Sequence, residues 1–416
     1  MPAVAGRRPS IEARLAAAGL PALPRTAWLE IDLDALRHNL AILRRLAGPD
    51  APVFPVVKAD AYGHGAVAVA QTLEGAGVEG LCVASFDEAI QLRDAGIRAR
   101  ILVLFPIPTA WALEAAGQGI AVTAGDEILL AELVQTTAPI APDAPLEVEL
   151  EVETGLGRGG FAEDSLVDAA RRIVAAPGMR LAGLWTHLQA VEDTELTNRQ
   201  LTRFEAATAR LLAAGIPLPG RHVAASAALI DGDIASHDGI RPGLAIYGLV
   251  PDELARADIP PGILGALRPV MALYARPVRV QELDEGWGVS YGPTFRTSRP
   301  SRIATLPLGY GDGWSRHLSN RAASIVRGVR VPLVGNVAMD AVMADVTDVP
   351  GPPVTVGDEF VLLGASGDER ITVVELAQLR TTNSWEVVSG MARRLPRVYH
   401  AAARPVGLRV LTERRS

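Results

Sequence analysis

Residues 56–65, which read VVKADAYGHG, place a single lysine directly after a short apolar run that begins at Val53. The run predicts a buried strand with Lys58 at its C-terminal end. Because an unpaired ammonium is costly to bury, such a lysine is paired, reaches water at the rim of the fold, or reacts covalently. From these residues alone, a rim lysine and a Schiff-base lysine both remain open.

Apolar runs alternate with alanine-rich amphipathic stretches from Val53 to about residue 262. This alternation predicts βαβ units and a parallel sheet surrounded by helices. An open, doubly wound sheet is the alternative, because alternation alone does not show closure. Eight repeats favour an α/β fold with an N-terminal (β/α)8 TIM-type barrel. The eight runs are residues 53–57, 80–84, 101–105, 120–123, 146–152, 181–185, 221–224 and 240–247.

Composition divides the chain into three parts. Residues 1–25 form an N-terminal extension, predicted to be an appended helix or a loose tail. Residues 26–262 form the barrel, and the sequence leaves open that its first strand, about residues 27–33, pairs with the C-terminal domain. This strand alternates like a half-buried one, and Asp34 is expected to cap the next helix. Residues 263–416 hold short β-runs between glycines and prolines, which predict a mainly β C-terminal domain.

The overall composition excludes several classes of protein. The 416 residues are 49% hydrophobic and 21% charged, which is typical of a soluble globular enzyme. A net charge of −7 argues against nucleic acid as a partner. Cys82 is the only cysteine, which excludes an intramolecular disulfide and a cysteine-based metal site. Pro106 and Pro108 interrupt the one nearly uncharged stretch, so we expect no membrane span and a cytoplasmic protein.

Polar side chains follow several predicted strands at the end where a barrel carries its catalytic groups. Together they predict a basic, hydroxyl-bearing pocket. No spacing of His, Asp or Glu suits a metal, and no Walker-type glycine loop is present. The candidates are Lys58, Tyr62, Arg158, His187, Ser226, Arg241, Gly243 and Tyr247.

Further short motifs accompany VVKADAYGHG along the chain. They are ETGLGRGGF at residues 153–161, THL at 186–188, ASA at 225–227, IRPGLAIYG at 240–248, VSYGPTF at 289–295, LPLGYGDGW at 306–314 and MD at 339–340. In order and spacing, from about residue 27 to 399, these motifs resemble the alanine racemases. Those enzymes use pyridoxal 5'-phosphate and combine an N-terminal barrel with a C-terminal β domain. The resemblance favours the Schiff-base interpretation of Lys58.

The resemblance implies two catalytic residues. Lys58 would hold the cofactor covalently and exchange the substrate α-proton on the D-alanine side. Tyr291, projecting from the β domain of a second subunit, would serve the L-alanine side. Racemisation removes a proton from one face and returns one to the other, so a group is needed on each face. This division of labour implies a homodimer whose active sites are shared between subunits.

The resemblance also implies which residues hold the cofactor phosphate. Tyr62, Ser226 and the backbone at Gly243 and Leu244 would do so, since hydroxyl and N–H donors suit a dianion.

The remaining pocket residues would face the cofactor ring and the substrate. Arg241 would face the pyridine nitrogen, where arginine can only donate because it does not deprotonate. His187 would lie beside the ring and orient Arg241. Arg158 would contact the phenolic oxygen and the substrate carboxylate, and the Met339 backbone of the second subunit would help to hold that carboxylate.

Two departures from the family pattern concern supporting residues. Glu151 replaces a lysine that is often carboxylated in the family, and we hypothesise that its carboxylate orients Arg158 directly. Arg393 stands where the family often has a tyrosine that touches the phosphate and the catalytic tyrosine. Arg393 could still bind phosphate, but the positioning of Tyr291 then needs another support.

The leading interpretation is an enzyme that interconverts L- and D-alanine and supplies D-alanine for peptidoglycan. A broader amino-acid racemase acting on serine or basic amino acids is the first alternative, and a pyridoxal-phosphate decarboxylase of the same two-domain build is the second. A non-catalytic pyridoxal-phosphate homeostasis protein, a barrel alone, is the alternative from another class. Ala225 replaces the usual asparagine before Ser226, and Ala338 replaces a frequent cysteine two residues before Asp340. These changes leave the substrate range open.

Overall fold

The chain folds as two units in the computed structural model, which describes residues 8–48, 50–218, 220–231, 238–252, 254 and 265–412. The barrel unit comprises Leu36–Arg268, and the β unit comprises Met1–Ala35 and Pro269–Ser416. Among the described residues, no helix is long and apolar enough to cross a membrane.

The N-terminal extension contains a helix, α1 (Ile11–Ala17), that packs against the first strand, β1 (Ala27–Asp32). Ile11 and Leu15 of α1 share a buried cluster with Trp28 and Val398. Of the two predicted forms, helix or loose tail, residues 11–17 therefore adopt the helix. The buried leucine and isoleucine, four residues apart, lie on the same helical face.

Strand β1 differs from its prediction because it is buried on both faces. It pairs in parallel with β18 (Arg397–Ala401) and antiparallel with β8 (Met271–Ala275), and only Asp32 is exposed. Helix α2 (Leu33–Ala47) follows at once. The predicted cap at Asp34 is wrong: Asp32 Oδ1 accepts the N–H groups of Asp34 and Ala35, each at 2.9 Å. A capping oxygen bonds to N–H groups two or three residues later, which Asp32 can reach.

Six parallel strands, adjacent in chain order, form most of the barrel wall. Three parallel bridges complete the circle: Val56 with Cys82, Val53 with Ile240, and Ala225 with Arg241. The predicted barrel is confirmed. The strands are β2 (Gly80–Val83), β3 (Arg100–Val103), β4 (Ile120–Ala124), β5 (Leu146–Glu151), β6 (Met179–Trp185) and β7 (Arg221–His222).

Helices follow the barrel strands and cover the outside of the sheet. Their apolar faces bury the outward side chains, so the strands are buried on both sides and read as continuous apolar runs. The helices are α3 (Ala66–Gly75), α4 (Phe86–Asp94), α5 (Ala112–Gly117), α6 (Glu127–Thr137), α7 (Glu163–Ala175), α8 (Thr194–Ala213) and α9 (Ser226–Asp231).

The eighth predicted run, residues 240–247, continues as a strand for a shorter distance than expected. Ile240 and Arg241 make the bridges, and a 3₁₀ turn then occupies Leu244–Tyr247. Pro242 lacks an N–H for further pairing. Ser226 Oγ instead accepts the N–H groups of Gly243 and Ala245, at 2.9 and 3.2 Å. The strand end thereby becomes a loop around Ser226.

The β unit is organised around one long mixed sheet. Its strand order is β19-β18-β1-β8-β16-β13-β14-β15-β12-β9, with β17 beside β16, and β10 and β11 form a separate hairpin. Helices α10 (Val373–Arg380) and α11 (Ser384–Ser389) complete the unit. The other strands are β9 (Arg279–Leu283), β10 (Gly288–Val289), β11 (Phe295–Arg296), β12 (Ser301–Leu306), β13 (Ala323–Val326), β14 (Val329–Val334), β15 (Val342–Asp345), β16 (Phe360–Ser366), β17 (Glu369–Ile371) and β19 (Arg404–Arg409).

Candidate active site

Lys58 begins a left-handed helical turn directly after residues 53–57, which occupy the first strand position of the barrel. The four residues after it, Ala59 to Tyr62, have φ angles between 51° and 56°. Each non-glycine residue in this region costs roughly 1–2 kcal/mol. Backbone bonds offset that cost, including Ala61 N–H to the Val57 carbonyl and Gly63 N–H to the Ala59 carbonyl, both 2.9 Å. The turn fixes the direction in which the chain leaves Lys58.

Glu88, on α4, ties this turn to the neighbouring strand. One carboxylate oxygen accepts the N–H of Ala59 at 2.6 Å, and the other accepts the N–H of Ala84 at 2.8 Å. Burial and the nearby Arg158 lower the pKa of Lys58, while Glu88 opposes the shift. A lowered pKa leaves a larger fraction of the amine neutral, as a nucleophile or base requires. Residues 56–65 gave no indication of Glu88, because it lies on another βα unit.

The four predicted phosphate residues come from three separate segments, and Tyr62, Gly243 and Ser226 lie together. Gly243 donates its N–H to Ser226 Oγ, and a Cβ added to Gly243 would lie 2.8 Å from the Tyr62 hydroxyl. Any side chain at Gly243 would therefore fill the space beside that hydroxyl. Leu244 begins the 3₁₀ turn that follows. Burial raises the pKa of Tyr62, which keeps its hydroxyl protonated and able to donate.

The Tyr62 ring is supported by Tyr247, whose ring centroid lies 5.1 Å away. Tyr247 donates its hydroxyl to the Val56 carbonyl at 2.9 Å and stacks on His64 at 4.4 Å. These contacts connect the left-handed turn to residues 240–247, which occupy the eighth strand position of the barrel.

Arg241 is buried in the barrel and held by backbone carbonyls and one histidine. Its guanidinium donates to the Thr186 carbonyl at 2.7 Å and to the His222 carbonyl at 2.8 Å, and Nη1 also contacts His222 Nδ1. It lies over the Trp185 ring, 5.0 Å from the centroid. The expected orientation of Arg241 by His187 is corrected: the histidine bonded to Arg241 is His222, which the family motifs did not single out.

His187 lies near three cations instead. Burial, then Arg241, Arg158 and Lys58, lower the pKa of His187 to about 3. Its imidazole is therefore neutral at physiological pH. A neutral ring suits a position beside an apolar or aromatic group better than a charged one would.

Arg158 and Glu151 form an ion pair at 3.1 Å. Arg158 also lies over the Phe105 ring at 5.3 Å. Glu151 is nearly buried at the end of β5, whereas the Arg158 side chain is 36% exposed. Gly125 and Gly159 approach closely, since a Cβ on either would lie 3.5 Å from Glu151 Oε2. The contact proposed for Glu151 is thus present.

Tyr291 lies in the β unit and is 76% exposed. Its carbonyl accepts a hydrogen bond from Asn336 Nδ2 at 2.8 Å. Ser290, with a φ of 67°, donates its hydroxyl to the Asn336 carbonyl at 2.6 Å. Asn336 therefore fixes the loop that carries Tyr291, and motif reading did not identify it.

The other predicted residues of the β unit are on the surface. Met339 is 54% exposed, and its carbonyl accepts the Gly311 N–H at 3.0 Å. Asp340 pairs with Arg394 at 2.5 Å. Arg393 is exposed beside that pair in sequence.

Comparisons with known proteins identify the chain's family. A model of the alanine racemase N-terminal domain matches residues 31–251, and one of the alanine racemase C-terminal domain matches residues 270–399. The chain belongs to the alanine racemase family. The alanine racemase of Desulfosudis oleivorans is 40% identical over 387 residues, covering 90% of this chain and 96% of that protein. The Sorangium cellulosum alanine racemase is 40% identical over 399 residues, covering 90% and 99%.

Solved structures of the alanine racemase family share the fold. The alanine racemase of Bacillus anthracis with bound L-Ala-P has a TM-score of 0.86 and 31% identity, covering 93% of this chain and 98% of that one. A histidine racemase of Leuconostoc mesenteroides has a TM-score of 0.83 and 27% identity, covering 91% and 99%. The shared architecture therefore includes a racemase named for another amino acid.

Proposed function

We propose that this alanine racemase family member interconverts L- and D-alanine with pyridoxal 5'-phosphate. The observation that carries the proposal is the meeting of Tyr62, Ser226 and Gly243 in the barrel that also carries Lys58 and Arg241. The family match over both domains supports the same conclusion.

The donor set fits the proposed cofactor. Tyr62 and Ser226 contribute hydroxyls and Leu244 contributes a backbone N–H, which are the donors that bind phosphate dianions. The N–H of Gly243, which donates to Ser226 Oγ in this structure, would turn to the phosphate. The missing side chain at Gly243 leaves space beside the Tyr62 hydroxyl. Lys58, whose pKa is lowered, is suited to covalent attachment.

When bound, pyridoxal phosphate acidifies the α-carbon of an attached amino acid by withdrawing its electrons. Lys58 would then move the proton on the D-alanine side, and Tyr291 the proton on the L-alanine side. Arg158 would bind the substrate carboxylate with help from the Met339 backbone. Glu151 would hold Arg158 in place for that contact.

Arg241 and His187 would adjust the cofactor ring. A permanently protonated guanidinium at the pyridine nitrogen can donate a hydrogen bond but cannot supply a proton. Since His187 is neutral, it would lie beside the ring without adding charge. Together they would keep the cofactor a moderate electron sink, which favours racemisation over transamination.

Assembly and physiology complete the proposal. Tyr291 and Met339 would serve the active site of a second copy, so the working form would be a homodimer. Asp340 and Arg393 would support these residues at the shared site. The product would supply peptidoglycan synthesis in the cytoplasm.

A broader substrate range is the second candidate function. The histidine racemase shares 27% identity across nearly its whole length. Ala225 and Ala338 have smaller side chains than the asparagine and cysteine that the family often has at these positions. They would leave more room for a substrate side chain near the pocket. A homeostasis protein would consist of a barrel alone, so the presence of the β unit that carries Tyr291 argues against that alternative.

Exchange of the α-proton tests the proposal directly. The wild type should incorporate deuterium into L- and D-alanine in deuterated water and invert both. Tyr291→Phe should slow the exchange starting from L-alanine more than that from D-alanine, because it removes the group on the L side. Arg279→Lys, on a strand of the β unit, serves as a matched surface control. If the wild type neither exchanges nor inverts alanine but does act on serine or histidine, the broader racemase is favoured.

A further inference from the structure

A buried carboxylate on β5 faces the histidine that contacts Arg241. Glu149 is 1% exposed, and its Oε2 lies 2.6 Å from His222 Nε2. Its Oε1 accepts a hydrogen bond from Arg100 Nη2 at 2.7 Å. Arg100, Glu149, His222 and Arg241 thus form one chain of contacts across the barrel interior.

The chemistry of its neighbours determines the protonation of His222. Arginine has only donors and an ionised carboxylate has only acceptors. His222 must therefore present a lone pair at Nδ1 to Arg241 and an N–H at Nε2 to Glu149. Only the neutral Nε2–H tautomer satisfies both contacts.

We propose that Glu149 is a positioning residue that fixes His222 as the Nε2–H tautomer and thereby holds Arg241 in its orientation. The importance of that orientation for catalysis rests on the proposed function. The tautomer itself is a property of the folded chain and does not depend on that function.

The charge state of both residues agrees with this arrangement. Burial lowers the pKa of His222, and Arg241 lowers it further, against the opposing effect of Glu149. Although burial opposes it, His222 and Arg100 hold the pKa of Glu149 at about 2. The pair is therefore a neutral imidazole and a carboxylate.

An amide at position 149 could not replace the carboxylate. Glu149 accepts at both oxygens, whereas glutamine has one accepting oxygen and one donating nitrogen. If the amide oxygen stays on the charged Arg100, its NH₂ faces His222 Nε2. That contact favours the Nδ1–H tautomer. The Nδ1–H would then point at an N–H of Arg241, and two donors cannot form a hydrogen bond.

The wild-type holoenzyme provides the first test. With ¹⁵N-labelled histidine, nuclear magnetic resonance distinguishes the two ring nitrogens, and His222→Gln identifies the signal among the seven histidines. We expect a neutral ring protonated at Nε2. A ring protonated at Nδ1, or at both nitrogens, would overturn the inference without any need for a Glu149 variant to fold.

Variants provide the second test. Glu149→Gln should change the His222 tautomer and lower kcat for alanine by about 10- to 100-fold, the range found when the hydrogen-bond partner of a metal-bound histidine is removed. KM should change little, because Arg158 binds the carboxylate. The matched control is Glu147→Gln, on the same face of β5, which also pairs with Arg100 but is 27% exposed. It should alter kcat by less than about twofold.

A double variant shows whether Glu149 acts through His222. Glu149→Gln combined with His222→Gln should be no slower than His222→Gln alone, because residues of one network are not additive. Fully additive losses would contradict the inference. If the wild type had no activity on alanine, the proposed function would be wrong. The Nε2–H signal of His222 would still be expected in that case.

Discussion

At the scale of single residues, Glu151 is the departure from the family pattern with the clearest structural effect. Its carboxylate pairs with Arg158 at 3.1 Å. We predict that Glu151→Gln raises KM for alanine by about three- to tenfold, because Arg158 loses the charge that orients it. Steady-state kinetics in both directions measures the effect. Glu147→Gln, four residues earlier on β5, should leave KM unchanged. An unchanged KM in Glu151→Gln would contradict the proposed role.

The pH dependence of substrate binding provides a separate check on Glu151. Burial raises the pKa of Glu151 above its ordinary value of 4.5, although Arg158 opposes the shift. The ion pair exists only above that raised pKa, so protonation as the pH falls should release Arg158. We predict that KM for alanine rises on acidification from a pH above 4.5, and that Glu151→Gln abolishes this rise.

Single residues also show what the sequence could predict. Lys58, Tyr62 and Ser226 follow strand-like runs, so their position at one end of the barrel could be predicted from the order of elements. His222 and Glu149 could not be paired in advance. Their contact depends on how β5 and β7 are placed in the closed barrel, and no local pattern in either strand reports that placement.

At the scale of elements, the left-handed turn after Lys58 is a source of strain that no hydrophobic period predicts. Ala59 is exposed and has a φ of 52°. Glycine at this position would remove roughly 1–2 kcal/mol of backbone strain, but it loses more conformational entropy on folding than alanine does. We therefore predict that Ala59→Gly increases the free energy of unfolding by about 0.5–1 kcal/mol, measured by urea titration.

A matched alanine in an ordinary helix tests whether the backbone conformation is the cause. Ala209 is exposed in the interior of α8. Ala209→Gly should lower the free energy of unfolding by about 0.5–1 kcal/mol. If both glycine variants were destabilised equally, the strain at Ala59 would not be the cause.

The N-terminal helix is a second element whose role can be measured. Leu15 is 1% exposed in the cluster with Trp28 and Val398. Leu15→Ala should destabilise the docked helix by about 2 kcal/mol or more, since it leaves a cavity. Faster amide hydrogen exchange in residues 11–17 would report the loss. Leu411→Ala, at a site 69% exposed, should leave that exchange unchanged.

At the scale of the whole molecule, the two proposed catalytic residues lie in different units. Lys58 belongs to the barrel unit and Tyr291 to the β unit. Composition and motifs predicted this division of the chain, because the runs after residue 262 change from alternating helices and strands to short strands. They could not predict whether the two residues serve one another within a chain or between chains.

Mixed dimers decide between those two arrangements. Lys58→Ala and Tyr291→Phe should each be nearly inactive when purified alone. In a heterodimer with shared sites, one site receives Lys58 from one chain and Tyr291 from the other, while the second site lacks both. Because equal mixing makes half of the dimers heterodimers, refolding the two variants together should restore about one quarter of wild-type activity. If Tyr291 served the Lys58 of its own chain, no mixture would recover activity, since every site would retain one substitution.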